Sequence, residues 1–169
     1  AVTPSQSSLQ PLQHIGANGD ITYVAGSVVG RVSAGGTIQF ETETSLPPIW
    51  IDVDIGGNTW KVDAYGSVSR LSPTGTLLWS SFANDIGCSS PTNGIDGWNK
   101  SALLLASNEL LVTTRCGDGM RVFKFNGAGQ LVWQRDTSGT SALAYVQLNS
   151  LQVDSTGNIY AGGCKSLNT

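Results

Sequence analysis

The sequence has few charged residues and no long hydrophobic run. Only 12% of its 169 residues are Asp, Glu, Lys or Arg, which is about half of the usual share of roughly 25%. The nine basic and twelve acidic residues form no run of either sign, and the net charge is −3. The longest apolar run, residues 102–106, is far shorter than the roughly 20 residues of a membrane span. The composition therefore argues against a nucleic-acid-binding protein and predicts no membrane span.

Cysteine and histidine are equally scarce. Cys88, Cys116 and Cys164 are too widely spaced for a C-x-x-C metal or redox motif, and His14 is the single histidine, so a zinc site is difficult to assemble. No carboxylate or nucleophile lies near His14 in the sequence. We therefore interpret His14 as a surface or core residue, because a Ser-His-Asp assignment would be arbitrary.

Glycine, by contrast, is abundant, with 21 residues beside a hydrophobic content of 40%. This composition predicts one globular, turn-rich and strand-dominated domain over residues 1–169, and it nearly excludes a helix bundle. The sequence starts at Ala1, as expected of an exported protein whose signal peptide has been removed, or of a trimmed chain. We expect a secreted, extracellular or periplasmic location.

Three segments, residues 31–40, 70–79 and 124–133, share one pattern. Each reads basic, apolar, Ser or Asn, two turn residues, Gly, polar, aliphatic, any residue, aromatic. The pattern predicts a β-hairpin whose turn glycine adopts positive φ and whose second strand ends in an aromatic residue. The recurring residues are Arg31, Arg70 and Lys124, then Gly36, Gly75 and Gly129, then Phe40, Trp79 and Trp133. We interpret the basic residues as covers for the sheet surface, made by their aliphatic stems, and not as an anion site.

A second element precedes each hairpin. Residues 54–60 and 154–160 read D-x-x-G-N-x-aromatic, residues 17–23 are a looser copy, and the copy at 107–111 has lost its glycine. The aspartate and glycine predict another hairpin turn, and the alternating residues 49–53 and 149–153 predict the strands before it. Each unit is therefore four antiparallel strands.

The spacing of the units predicts the fold. The basic residues at positions 31, 70 and 124 lie 39 and 54 residues apart, and the longer interval contains an inserted loop at residues 84–100. A period near 40 residues with four strands per unit is typical of a β-propeller. We expect an all-β chain of about three and a half blades, since the fourth unit stops before its second hairpin. Such a ring is incomplete or is completed by another chain.

These motifs resemble known propeller repeats. Residues 71–79 look like the tryptophan-docking repeat of quinoprotein-dehydrogenase-like propellers, and the D-x-x-G-N-x-aromatic element is similar to bacterial extracellular repeats of the Asp-Gly-Asn-Ile-Tyr type. The first resemblance implies that the turn glycines and the terminal aromatic residues pack neighbouring blades together. It implies little about chemistry, because such blades occur in enzymes, assembly scaffolds and adhesins.

Asp52, Asp54 and Asn58 form a weak candidate calcium site, since they bring two carboxylates and an amide into one loop. The alternative is a structural role for Asp54, because Asp154 repeats it as a turn residue. No cofactor is otherwise expected.

The inserted loop offers a second candidate site. Trp98, with Asp96, Asn99 and Lys100 beside it, would stack and hydrogen-bond a sugar or a peptide; the alternative is that Trp98 seals the loop onto the blade. On the chain order of a propeller, Cys88 and Cys116 lie on one face, so we predict a disulfide between them. Cys164 is the alternative partner.

Two functions remain open at this stage. The first is an extracellular, non-catalytic module for binding or scaffolding, such as an adhesin, envelope or appendage component. Its partner would be a protein or a glycan, or further copies or remaining blades that complete the sheet edge. The alternative is a fragment of a quinoprotein-like or glycan-processing enzyme. Against the enzyme, the sequence has no adjacent cysteine pair and no carboxylate clearly paired with a base.

Overall fold

The structure is a computed structural model that describes residues 12–63, 66–81, 102–116, 119–136 and 144–167. These residues form fourteen β-strands and no helix. The strands make three four-stranded antiparallel sheets and one two-stranded hairpin, and within each sheet the strands follow chain order. The predicted all-β fold of about three and a half blades is therefore confirmed.

We call the three sheets blades 1 to 3 and the hairpin the half blade. Blade 1 contains β1 (Gln13–Ile15), β2 (Ile21–Ala25), β3 (Val28–Val32) and β4 (Ile38–Glu43). Blade 2 contains β5 (Pro48–Val53), β6 (Thr59–Asp63), β7 (Val68–Leu71) and β8 (Leu77–Ser81). Blade 3 contains β9 (Ala102–Leu104), β10 (Leu110–Cys116), β11 (Gly119–Phe125) and β12 (Leu131–Asp136). The half blade contains β13 (Ala144–Val153) and β14 (Ile159–Leu167).

The first turn of every unit has the same backbone geometry. In blade 2 the N–H of Asp54 donates to the carbonyl of Asn58, and residues 16, 105 and 154 donate in the same way to residues 20, 109 and 158. The turn needs one residue at positive φ, and glycine supplies it in three of the four units. In blade 3, where the sequence lacks the glycine, Asn108 adopts a φ of 58°. Asparagine tolerates this region better than other residues with side chains.

A β-bulge recurs on the outermost strand of each blade. In blade 2, Arg70 pairs with Trp79 and Leu71 pairs with Leu77, which leaves Leu78 as the extra residue. The same shift occurs at Gln39 in blade 1 and at Val132 in blade 3. Bulges bend and twist an edge strand, which protects it from pairing with other chains and re-aims the side chains beside it. In each blade the extra residue comes directly before the terminal aromatic residue.

The hydrophobic core lies between blades. Between blades 2 and 3, the buried side chains of Trp60, Val62 and Val68 pack against four residues of β10 and β11: Leu110, Val112, Phe123 and Phe125. Leu111, Val122 and Leu151 join blade 3 to the half blade, and Val29, Phe40 and Leu71 join blades 1 and 2. Strand faces that meet another blade leave little surface for charged residues, which explains the low charge content. Nowhere in the described ranges is there a helix of the length and hydropathy that a membrane span requires.

Candidate functional site: the clefts between blades

The terminal aromatic residue of one blade lies against the turn glycine of the next. A Cβ atom on Gly129 of blade 3 would come within 2.5 Å of the Trp79 ring of blade 2, and one on Gly75 within 2.5 Å of the Phe40 ring of blade 1. Both glycines also have a φ of +81°. Each of these positions therefore requires glycine for two reasons: the turn needs positive φ, and the aromatic ring leaves no room for a Cβ atom.

Polar contacts reinforce this packing. The Nε1 of Trp79 donates to the carbonyl of Gly127 at 3.1 Å, and the hydroxyl of Thr42 donates to the carbonyl of Gly75 at 2.8 Å. Each hydrogen bond joins an outermost strand to the turn of the following blade. The hydrogen bond of Trp79 thus fixes the direction of its ring as well as its position.

The recurring basic residues lie inside these contacts. Arg70 donates from Nε and Nη2 to Asp54 Oδ2, and from Nη1 to the carbonyl of Gly127 at 2.7 Å. Arg31 is 6% exposed and donates to the hydroxyls of Thr22 and Thr59, each at 3.0 Å. Both arginines therefore have a structural role, as we interpreted them, but the contacts are made by the guanidinium groups and not by the aliphatic stems. The planar guanidinium satisfies groups on two blades at once, which an aliphatic stem cannot do.

Asp54 is the centre of the blade 2 network. Its Oδ1 accepts hydrogen bonds from the backbone N–H groups of Gly56 and Asn58, both at 2.9 Å, and its Oδ2 accepts from Trp60 Nε1 at 3.0 Å and from Arg70. Burial raises the pKa of this carboxyl, but the hydrogen bonds from Asn58, Trp60 and Arg70 outweigh burial and hold the pKa below its usual range. Asp54 therefore remains ionised at neutral pH.

The residues of the candidate calcium site are engaged in different contacts. Asn58 turns its amide nitrogen toward Asp54 Oδ1 at 3.0 Å, whereas a cation would need the amide oxygen. Asp52 Oδ1 accepts the N–H of Val53 at 2.8 Å and faces His14. The described ranges contain no group of three or more His, Cys, Asp or Glu residues that could hold a metal ion.

We therefore expect calcium to leave the protein unchanged. A calcium ion at Asp54 would displace several hydrogen bonds. It would also place a second positive charge beside Arg70, which is already paired with Asp54. The check is the melting temperature in about 5 mM EDTA and in about 5 mM CaCl₂, which is about five to fifty times the dissociation constants of extracellular calcium modules. A rise in melting temperature with CaCl₂ that Asn58→Ala abolishes would contradict this expectation.

His14 and Asp52 form a pair that the sequence did not suggest. His14 Nδ1 lies 2.7 Å from Asp52 Oδ1, and the two side chains are 30% and 32% exposed. The pair joins β1 to β5, and His14, Asn18, Asp20, Arg31 and Asp54 line a cleft of about 430 Å³ between blades 1 and 2. No carboxylate lies near His14 in the sequence, but the fold brings Asp52 to it.

The relation between the two residues appears when the first turns are aligned by their backbone hydrogen bonds, which match Gly16, and not Ala17, to Asp54. His14 precedes the first turn of blade 1 by two residues, and Asp52 precedes the matching turn residue Asp54 by two residues. Residues at one repeat position in consecutive blades are neighbours in space. Distance along the chain conceals this, because 38 residues separate the two (52 − 14).

A second cleft, of about 800 Å³, lies between blade 3 and the half blade. Glu109, Lys124 and Asp154 supply its charges, with Leu105, Val153 and Ile159 among its apolar lining. Lys124 Nζ contacts Glu109 Oε2 at 2.9 Å within blade 3. Hydrogen bonds from the Asn158 and Thr156 side chains hold the pKa of Asp154 well below its usual range. This carboxylate has no lysine or arginine partner among the residues described.

The candidate binding loop lies outside the described residues, so Trp98, Asp96, Asn99 and Lys100 have no placement. The same holds for Cys88. Cys116 ends β10 and Cys164 lies within β14, and the Cys88–Cys116 disulfide stays a prediction.

Comparison with known proteins gives a fold and no closer identity. No protein-family model and no curated protein matches the chain. Among solved structures, BamB from Moraxella catarrhalis has a TM-score of 0.64 at 16% identity over 85% of this chain. BBS1N, solved in complex with ARL6DN, has a TM-score of 0.58 at 16% identity over 88%. AztD from Citrobacter koseri has a TM-score of 0.57 at 11% identity over 90%.

All three structures are β-propellers, and this chain has the β-propeller fold. The chain spans 43%, 46% and 37% of their respective lengths. The resemblance to propeller repeats of the quinoprotein-like kind is confirmed at the level of the fold. At these identities the likeness extends to architecture only.

Proposed function

We propose that the chain is an extracellular or periplasmic, non-catalytic propeller module that binds a protein partner. The observation that carries the proposal is a set of exposed aliphatic side chains on the outermost strands of three consecutive blades. The set consists of Ile38 on β4, Leu77 and Leu78 on β8, and Val132 on β12, which are between 49% and 59% exposed. We call these four residues the rim patch.

The rim patch follows the repeat. Ile38 and Leu77 occupy one position of the hairpin pattern, and Leu78 and Val132 both occupy the bulge position. Single exposed aliphatic residues are ordinary on protein surfaces, and the support for binding is that these residues recur at matched positions of consecutive blades. Aliphatic groups of this kind suit the apolar centre of a protein interface better than they suit a glycan.

Three further points support the proposal. The recurring polar residues Asp54 and Arg70 are engaged in contacts within and between blades, so their recurrence has a structural purpose. BBS1N, a propeller of similar fold, was solved in complex with ARL6DN. The likeness of the first-turn element to bacterial extracellular repeats supports the location and an adhesin, envelope or appendage role.

The test is cross-linking capture from the extracellular or periplasmic fraction of the source organism. We expect a protein that the unmodified chain enriches and that Leu78→Glu fails to enrich. The matched control is Ile55→Glu, because Ile55 is 88% exposed on a turn outside the rim patch. Equal enrichment by all three chains, or enrichment by none with folding verified by circular dichroism, would contradict the proposal.

An enzyme remains the second candidate because of one observation. Asp52 fixes the orientation of His14, and such a pair is able to present the other imidazole nitrogen as a base in the adjoining cleft. A turnover of glycoside or alcohol substrates that His14→Gln removes, with folding unchanged, would favour this candidate over binding.

A further inference from the structure

Blade 1 differs from blades 2 and 3 at its recurring basic residue. Arg70 of blade 2 is paired with Asp54, and Lys124 of blade 3 is paired with Glu109. Among the residues that the structure describes, Arg31 of blade 1 forms no ion pair with a carboxylate, although it is only 6% exposed. A buried charge without a partner is costly, so a group that neutralises it would be bound favourably.

Two replacements within the repeat account for the difference. Blade 2 places Asp54 and Trp60 beside its arginine. The first-turn hydrogen bonds align Gly16 of blade 1 with Asp54. The strand pairing aligns Thr22 with Trp60, since each pairs in register with the basic residue of its own blade. Blade 1 therefore has neither the carboxylate nor the large ring at this place, and Gly16, Thr22 and Arg31 line the cleft of about 430 Å³ between blades 1 and 2.

The guanidinium of Arg31 is fixed in place by three contacts. Its Nε donates to the hydroxyl of Thr22 and its Nη2 to the hydroxyl of Thr59, each at 3.0 Å. Its carbon lies 5.5 Å from the centroid of the Phe40 ring. The Nη1 atom makes no hydrogen bond with any described residue, and it lies 3.7 Å from the place of a Cβ on Gly57, which also lines the cleft. A guanidinium held in this way is preorganised to bind a carboxylate.

Two acidic residues also line the cleft, but both are engaged in other contacts. Asp54 is paired with Arg70 of its own blade. Asp20 accepts hydrogen bonds from one backbone and two side-chain groups of blade 1. Burial lowers the pKa of Arg31, and attraction to Asp20 and Asp54 offsets this effect only in part. The two carboxylates therefore do not fully compensate the charge of Arg31.

From these observations we propose that the cleft between blades 1 and 2 binds a small molecule with a single carboxylate group. The carboxylate accepts from Nη1 of Arg31 and supplies the charge that Asp54 supplies to Arg70. A phosphate suits the cleft less well, because its second negative charge would be repelled by Asp20 and Asp54. The cleft volume lies in the range of small-molecule sites, and Val53 adds to its apolar lining.

This site goes beyond the proposed binding of a protein partner and shares no residue with the rim patch. On the sequence alone we interpreted Arg31 as structural and not as part of an anion site, because the hairpin pattern does not distinguish it from Arg70. The distinction lies in the first turn, where Gly16 replaces an aspartate.

The test uses benzoate as the probe and follows its titration into the intact chain by nitrogen–proton NMR. We expect saturable shifts at the Nε–H of Arg31 and at the backbone N–H groups of Gly16 and Asp20, with a dissociation constant of about 1 mM. Benzamide has nearly the same shape without the charge, and it should bind at least about tenfold more weakly. Inorganic phosphate should also bind more weakly than benzoate. Sodium chloride at the same concentration controls for ionic strength.

Gly16→Asp restores the carboxylate that blade 2 has at this position. Gly16 does not adopt positive φ, and a Cβ there would first meet Oδ1 of Asn18, the end of a flexible side chain, at 2.9 Å. The new carboxylate should pair with Arg31 and weaken benzoate binding at least about tenfold. Gly16→Ala is the matched control, and it should bind benzoate as the unmodified chain does.

Asp20→Asn is a second variant that needs no new side chain at position 16. It removes a negative charge from the cleft, so benzoate should bind more tightly. Any of four results would overturn the inference: no saturable shift up to about 10 mM benzoate, equal binding of benzamide, tighter binding of phosphate, or a folded Gly16→Asp chain that binds benzoate normally. If Gly16→Asp does not fold, unchanged or weaker binding by Asp20→Asn overturns it. Leu78→Glu should leave benzoate binding unchanged, so the rim patch proposal and this inference fail separately.

Discussion

Gly129→Ala should destabilise the protein by about 2 to 4 kcal/mol. Positive φ costs about 1 kcal/mol for a residue with a Cβ, and overpacking adds about 1 to 3 kcal/mol. The new Cβ would lie 2.5 Å from the Trp79 ring. This ring has little freedom to move, because its Nε1 is bound to Gly127 and its edge meets the Trp60 ring at 5.3 Å between centroids. The measurement is the free energy of unfolding in urea.

Gly36 provides the matched control within the same chain. Its φ is +82°, against +81° for Gly129, yet nothing lies within 4 Å of the position that its Cβ would occupy. Gly36→Ala should therefore show the backbone cost alone, about 1 kcal/mol. Similar losses at the two positions would show that the aromatic contact contributes nothing to blade docking.

Adding Trp79→Leu to Gly129→Ala tests the cause of the larger loss. If the clash with the ring is responsible, the double variant should be less destabilised than the sum of the single changes, because the smaller side chain makes room for the Cβ. Strict additivity would place the effect of Gly129→Ala in the turn itself and not in the contact between blades.

The repeat in the sequence was enough to predict the architecture. Turn glycines and terminal aromatic residues recur at one spacing, and each recurrence corresponds to one hairpin of the structure. Even the position left unspecified in the pattern has a meaning, since it holds the bulge residues Gln39, Leu78 and Val132. The pattern could not reveal the bulge, because an extra residue in one strand becomes visible only when its partner strand is aligned beside it.

The side-chain partners were harder to predict for two physical reasons. Arg70 has a long side chain, and the pattern does not say whether its guanidinium covers its own sheet or reaches the next blade. His14 and Asp52 are far apart along the chain and become neighbours only through the placement of blades around an axis. A local stretch of sequence is enough to predict a hairpin, whereas each cleft is formed by residues from two neighbouring blades.

Asp54→Asn should cause the second large loss of stability. We expect it to lower the free energy of unfolding by about 3 kcal/mol at neutral pH. Asparagine keeps an oxygen for the N–H groups of Gly56 and Asn58. Its NH₂ group would face the donors of Trp60 and Arg70, leaving the half-buried guanidinium of Arg70 without its charged partner. Removing one partner of a buried ion pair typically costs about 3 to 5 kcal/mol, and Arg70 keeps its bond to Gly127, which favours the lower end.

Asp154→Asn is the matched control, because Asp154 makes the same turn contacts on an exposed unit. Asp154→Asn should lower the free energy of unfolding much less than Asp54→Asn does. Equal losses would show that the turn hydrogen bonds, and not the contact with Arg70, give Asp54 its importance.

The pH dependence of the Asp54→Asn effect gives an independent check on the charge. The pKa of Asp54 is lower in the folded protein than in the unfolded chain, where an aspartate titrates near pH 3.9. A depressed folded pKa contributes stability that is present above the unfolded pKa and is lost as the pH falls through the folded pKa. The difference in unfolding free energy between the unmodified chain and Asp54→Asn should therefore be constant above about pH 5 and should shrink below about pH 4. A difference that stays constant to about pH 2 would mean that the ionised carboxylate does not stabilise the blade, and that Arg70 is held by the Gly127 carbonyl alone.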